Sequence, residues 1–227
     1  MKKQDVYRLL EEKMLGYTDY VDVPVGPVDE PLVPIPDSCN LVARQIGTDM
    51  ESYTGGQIFV RYGVLQRLEQ AAKLLSEQDT NLQLEVAYGY RTLEIQKRLF
   101  EEYKIKLEPE YEGEALLAAT HRLIAAPEVA GHPAGAAVDI QITKNGKPLD
   151  FGTHIHEFVP DTFTFSPFIS KEGWNNRQLL RRVMMQADFA PFDGEWWHFS
   201  YGDKEWAKYY GKPAALYLQM DFRIDNG

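Results

Sequence analysis

One cysteine, Cys39, is all that the 227 residues contain. No intrachain disulfide can form, and no all-cysteine metal site, which fits a reducing compartment. No run approaches 18 uninterrupted apolar residues, so no membrane-crossing helix is expected. After Met1-Lys2-Lys3, charge recurs at Arg8, Glu11, Glu12 and Lys13. The apolar core of a secretion signal is missing there, and a cytoplasmic protein is the expectation. Positive charge is also short. Lys plus Arg is 24 against 34 Asp plus Glu, a net charge of −10. Neutralising phosphates takes a basic patch, so nucleic acid and anionic membrane are not expected partners. The one basic cluster, Arg177, Arg181 and Arg182, lies in an amphipathic stretch and reads as a solvated helix face.

What is present is ordinary for a globular chain: 44% apolar and 26% charged residues. A chain of this size buries roughly 70% of its unfolded surface, enough for one real core. Five prolines, Pro24, Pro27, Pro31, Pro34 and Pro36, forbid regular helix over 23–37. Residues 1–40 therefore read as a short helix over 1–15 followed by an extended arm wrapping the domain formed by 41–227. Val60, Val64, Leu65, Leu68, Ala71, Ala72 and Leu75 recur with helical period over 59–76. Leu82, Leu84 and Val86 alternate as in a strand, Thr92 caps a second helix, and 114–124 forms a third. A strand over Ala137–Ile142 leads into an Asn145-Gly146 turn. Residues 150–172 are loop-rich, 177–187 are helical, and Glu195–Ser200 reads as a strand. Helices and strands mix without a strict βαβ rhythm. The fold expected is α+β, a single domain whose mainly antiparallel sheet carries the site, with helices packed against it.

The five histidines are His121, His132, His154, His156 and His198. His132 lies among small residues in Gly131-His132-Pro133-Ala134-Gly135, with little bulk around it to make it a packing residue. Asp139 sits in an otherwise apolar strand, where a carboxylate is costly unless paired or bound to a cation. His198 closes Gly194-Glu195-Trp196-Trp197-His198. Two imidazoles and a carboxylate make a three-ligand set for catalytic zinc, one ion per chain, with the fourth position left to water. Glu195, three residues before one ligand, is the kind of base such a site needs. His121 reads as structural. His154 and His156, two apart, read as loop histidines, substrate contacts or a second metal pair. Of Trp196 and Trp197, alternation on a strand puts one in the core and one toward the pocket.

The stretches His132-x-x-Gly135-x-Ala137-x-Asp139 and Glu195-x-Trp197-His198 resemble the signature of the D-alanyl-D-alanine dipeptidases. These are zinc peptidases of the fold shared with bacterial D,D-peptidases and the hedgehog signalling domain. Tyr90-Arg91, between a strand and a helix, is a third match, and the likeness runs from about Asn40 to Tyr201. It implies that His132, Asp139 and His198 hold the zinc. Zinc-bound water would be the nucleophile, Glu195 the general base and acid, and Arg91 the stabiliser of the oxyanion. A planar guanidinium suits that task better than a lysine. The alternative for Arg91 is a helix-edge salt bridge with Glu94.

The specificity residues depart from the family. Ala130 and Gly131 stand where a serine usually precedes the histidine ligand, and His156 falls where a carboxylate binds the dipeptide's ammonium. Glu157 is adjacent, one residue out of register. His156, Glu157, Trp197 and Tyr90 are the candidate substrate contacts. The substrate expected is D-alanyl-D-alanine or a related small dipeptide. Two alternatives stay open: a zinc carboxypeptidase or endopeptidase on peptidoglycan stem peptides, and a non-catalytic binding module on the same fold. The sequence does not specify an oligomeric state.

Overall fold

The computed structural model describes residues 2–26 and 28–224; Pro27 of the proline-rich arm lies outside them, as does Met1. In chain order the helices are α1 (Lys3–Glu11), α2 (Tyr17–Tyr20), α3 (Glu51–Thr54), α4 (Tyr62–Ser76), α5 (Leu93–Leu107), α6 (Gly113–His121), α7 (Lys171–Gln186) and α8 (Lys204–Tyr209). The strands are β1 (Leu32–Pro34), β2 (Leu41–Ala43), β3 (Phe59–Arg61), β4 (Leu82–Tyr88), β5 (Ala137–Lys144), β6 (Lys147–Pro148), β7 (Ala190–Pro191) and β8 (His198–Ser200). Single 3-10 turns form at His132–Ala134 and Pro160–Thr162.

The main sheet runs β2-β4-β5-β8-β7, with β6 on the end of β5, and β1 pairs with β3 in a separate ribbon. The sheet is mixed rather than antiparallel throughout. β2 and β4 run parallel, while the other pairs of this sheet are antiparallel. The long connection through α3, β3 and α4 supplies the crossover that a parallel pair requires. α4 lays Val64, Leu68, Ala71, Ala72 and Leu75 on the sheet, all fully buried, and α7 adds Leu180, Val183 and Met184. These side chains share one cluster with Leu84, Val86, Val138, Ile140 and Ile142 of the central strands.

Several helix starts are set by side-chain caps. Thr92 accepts from the Ile95 amide at the start of α5, Ser170 from Gly173 in α7, and Asp203 from Trp206 in α8. The helix expected from residue 59 begins at Tyr62, because Phe59–Arg61 pair with the proline-rich segment as β3. The strand expected from Glu195 begins only at His198. Glu195, Trp196 and Trp197 form a tight turn, with the His198 amide donating to the Glu195 carbonyl.

The basic cluster on α7 is not a solvated face. Arg177 is fully buried: its Nε donates to the Phe151 carbonyl, Nη1 to those of Asp161 and Phe163, and Nη2 to Thr153 Oγ1. Arg181 pairs with Asp193 at 2.9 Å, and Arg182 alone is exposed. The carbonyls of the irregular 150–163 segment find no partner in a sheet, and the guanidinium fork supplies one. No helix among the described residues is long and apolar enough to cross a membrane.

Candidate metal centre and active-site cavity

Three separate segments bring His132, Asp139 and His198 together. His132 opens the turn between Gly131 and Gly135. Gly135 has φ +67°, and a Cβ there would run into the Leu32 side chain, so only glycine closes this turn against β1. Asp139 is on β5, and the β5–β8 register sets it opposite His198. The rings of His132 and His198 lie 5.0 Å apart. One potential ligand atom from each of the three residues falls within 4.8 Å of the others.

The orientation of His132 is imposed from behind. Its Nδ1 lies 2.7 Å from the Gly89 carbonyl, which accepts its proton and leaves Nε2 free toward Asp139 at 3.6 Å. Only glycine fits at 89, since a Cβ there would sit 2.6 Å from Ile58 and 2.7 Å from the Phe59 carbonyl. Asp139 Oδ1 is 3.0 Å from His198 Nδ1, and Oδ2 is 2.8 Å from His156 Nε2. His156 has φ +61°, a left-handed backbone that a histidine adopts only when its surroundings hold it there.

The charges follow from this packing. Burial raises the Asp139 carboxyl, but His132, His156 and His198 outweigh it and hold the group well below the usual carboxylate range. Burial takes His132 down to about 4 despite Asp139, and the nearby Arg91 and His198 charges add to the lowering. His198 is opposed by burial, yet its direct bond to Asp139 takes it up to about 9. Burial pushes Glu195 up to about 7; His198 opposes this and Asp139 reinforces it. A carboxyl balanced near neutrality is suited to both taking and giving a proton. Two imidazoles and a carboxylate converging from a rigid sheet and a braced turn fit a divalent ion of zinc type, with room left for a further ligand.

Arg91 follows β4, and its amide donates to the His132 carbonyl at 3.3 Å. Its guanidinium lies over the Tyr88 ring, and Nη1 donates to Gln96 Oε1 at 3.0 Å. Gln96 in turn donates to the Ala125 carbonyl at 2.7 Å. The salt bridge with Glu94 does not form; Glu94 faces Tyr53 and Arg223 instead. A cavity of about 70 Å³ contains Arg91, His132, Asp139, His156, Glu195 and His198 in its wall. A second cavity, about 220 Å³ and mostly apolar, adjoins it and shares Arg122, Leu123, Phe158 and Glu195.

Other substrate-contact expectations are placed elsewhere. Trp197 is fully buried, packed edge-on to His156, Phe158 and Trp196, and does not line the cavity. With no strand at Glu195–Trp197, face alternation does not apply, and both tryptophans enter the core. Tyr90 packs on Phe222 and donates to the Met220 carbonyl. Glu157 accepts the His154 amide and lines a different surface groove with His154. The single-residue offset from His156 turns it away from Asp139. His154 and His156 part company because the left-handed backbone at His156 breaks the extended alternation, and no shared metal position includes both among the described residues.

The cavity also holds residues that no motif announces: Tyr20, Gln96, Phe192 and Glu205. His121 lines it as well. Its Nδ1 accepts the Ala126 amide, so the ring proton sits on Nε2 and goes to the Tyr20 hydroxyl at 2.6 Å. Only tertiary approach of α2, α5, α6, α8 and the loop after β7 brings these side chains to the site.

A braced His/Asp/His centre with a cavity-facing glutamate and a fixed arginine defines a metallopeptidase. The family model described as D-ala-D-ala dipeptidase, Peptidase M15, matches residues 42–215, and the chain belongs to that family. A D-alanyl-D-alanine dipeptidase of Synechocystis sp. is 30% identical over 231 aligned positions, covering 85% of this chain and 90% of the relative. Among solved structures, a vancomycin-resistance D,D-pentapeptidase VanY from a VanB-type cassette, in complex with Zn(II), aligns with TM-score 0.42 and 19% identity, over 87% of this chain and 97% of that one. The LD-carboxypeptidase LdcB aligns with TM-score 0.46 and 20% identity, over 79% and 72%.

Proposed function

We propose that this metallopeptidase is a zinc-dependent dipeptidase acting on D-alanyl-D-alanine or a related small dipeptide. The observation that carries the reading is the convergence of His132, Asp139 and His198 within 4.8 Å, beside Glu195 in one small cavity. Zinc, when bound, supplies a Lewis acid and lowers the pKa of its water toward neutrality. His132, Asp139 and His198 would hold it.

The remaining steps belong to the protein's own groups. Glu195 accepts a proton from the attacking water and returns one to the leaving amine. Its carboxyl reaches neither task through a hydrogen bond that must first break, since among the described residues its oxygens have no partner. Arg91 is held by Gln96 and Tyr88 before substrate arrives, so it meets developing negative charge without reorganising. His156, bound to Asp139, braces that ligand and is not an anionic contact for substrate.

The test is metal analysis followed by dipeptide hydrolysis. Protein that retains about one zinc per chain and cleaves D-alanyl-D-alanine supports the reading; zinc-loaded protein that cleaves no D-amino-acid dipeptide overturns it. The adjoining apolar cavity favours a second reading, a carboxypeptidase or endopeptidase on peptidoglycan stem peptides. Faster cleavage of a stem peptide than of the free dipeptide would select it.

A further inference from the structure

Two carboxylates line the cavity without a protein partner. Glu195 has a role in the reading above. Glu205 has none. It is the second residue of α8, only 9% exposed, and in the wall it accompanies Tyr20, His121, Glu195 and His198. Among the described residues nothing donates a hydrogen bond to its side chain or forms an ion pair with it.

The short helix that carries it is pinned. Asp203 accepts from the Trp206 amide and from Ser200, Lys204 Nζ donates to the Val21 carbonyl, and the Trp206 ring donates to the Asp188 carbonyl. Glu205 therefore cannot swing out to water without dislodging α8. A buried carboxylate without a counter-charge is costly, and in a cavity wall a cationic ligand would remove that cost. Burial, reinforced by Asp203, pushes its carboxyl up to about 8. With no cation beside it the group is mainly protonated at neutral pH, and an arriving ammonium would draw it into the charged form.

A free dipeptide is a zwitterion, and its ammonium needs an anion once water is excluded. The anions of the cavity are few. Asp139 is engaged by the imidazoles of His156 and His198 and belongs to the metal centre. Glu195 has to stay available for protons. His156 is an imidazole bound to Asp139 and offers no anion. What is left is Glu205.

We propose that Glu205 receives the α-ammonium of the substrate and so selects peptides with a free amino terminus over N-blocked ones. This rests on the dipeptidase reading. The experiment measures kcat/KM of the zinc-loaded enzyme on D-alanyl-D-alanine and on its N-acetyl derivative, for wild type, Glu205→Gln and Glu205→Asp. Wild type should favour the free amine by about 100-fold or more. In Glu205→Gln the preference should fall below about tenfold, mainly through KM, with one zinc per chain retained. Glu205→Asp should restore part of it, and stands as the deciding variant if the amide does not fold.

An unchanged preference in the deciding variant overturns the assignment, as does an equal loss on both peptides in a folded, zinc-replete variant. A second zinc in wild type that Glu205→Gln lacks also overturns it, since the cation would then be a metal. If wild type cleaves neither peptide, the dipeptidase reading fails by itself. Calorimetric binding of free against N-acetylated peptide then still judges Glu205.

Discussion

Glu195 and Arg91 line the same cavity, and their supports differ. Glu195 is free of hydrogen bonds, so its removal should leave the metal ligands undisturbed. Glu195→Ala is expected to keep one zinc per chain by metal analysis while kcat falls about 10³-fold, within the usual worth of a positioned base. Full activity in that variant would remove Glu195 from its role. Arg91 depends on a neighbour. Gln96 ties the guanidinium to the Ala125 carbonyl, so Gln96→Leu should lower kcat about tenfold with zinc content unchanged. Arg91→Lys should cost more, about 10²-fold, because the ammonium cannot keep both the Tyr88 face and the Gln96 bond. A Gln96 variant as active as wild type would mean that Tyr88 alone orients the arginine.

The elements were legible where one periodicity ran undisturbed. α4 and β4 stand nearly where their apolar spacing puts them, since each covers one face of one core. The misreadings come from groups whose partners are distant in sequence. Arg177 looks like surface charge because its four acceptors lie 14 to 26 residues earlier in an irregular loop. Trp196 and Trp197 look like strand residues because nothing local shows the turn through Glu195 and His198. The buried fork makes a testable demand. Arg177→Met should strand the carbonyls of Phe151, Asp161 and Phe163 and destabilise the protein by about 3 kcal/mol. Denaturant unfolding would show it as a lower midpoint at similar slope. A change under about 0.5 kcal/mol would mean that water replaces the guanidinium.

For the molecule entire, protons and metal act through folding. Burial holds His121 down to about 4, below the ordinary value near 6.5. Between those values the unfolded chain binds a proton that the folded chain refuses, so stability declines as pH falls from about 6.5 to 4. The loss from this one group is about 3 kcal/mol, none of it felt above pH 7. Urea unfolding at pH 7.5 and 4.5 should show a smaller difference in His121→Gln than in wild type; an equal difference would place the titration elsewhere. A zinc ion held by His132, Asp139 and His198 would bind the folded chain alone, so chelation should lower Tm by roughly 5 to 10 °C at a hundredfold excess of metal over Kd. The convergence of His132, Asp139 and His198 was legible because a three-ligand set demands few residue types. Tyr20, His121, Gln96 and Glu205 were not, since they reach the cavity from four different helices. One guanidinium carries a last implication. Arg61 donates to the carbonyls of Ala134, Glu30 and Leu218, stitching both tails to the turn that presents His132. Protease nicks near residue 28 or 221 would therefore cripple turnover in a particle that still sediments whole, and a fusion partner that tugs on either end would do the same.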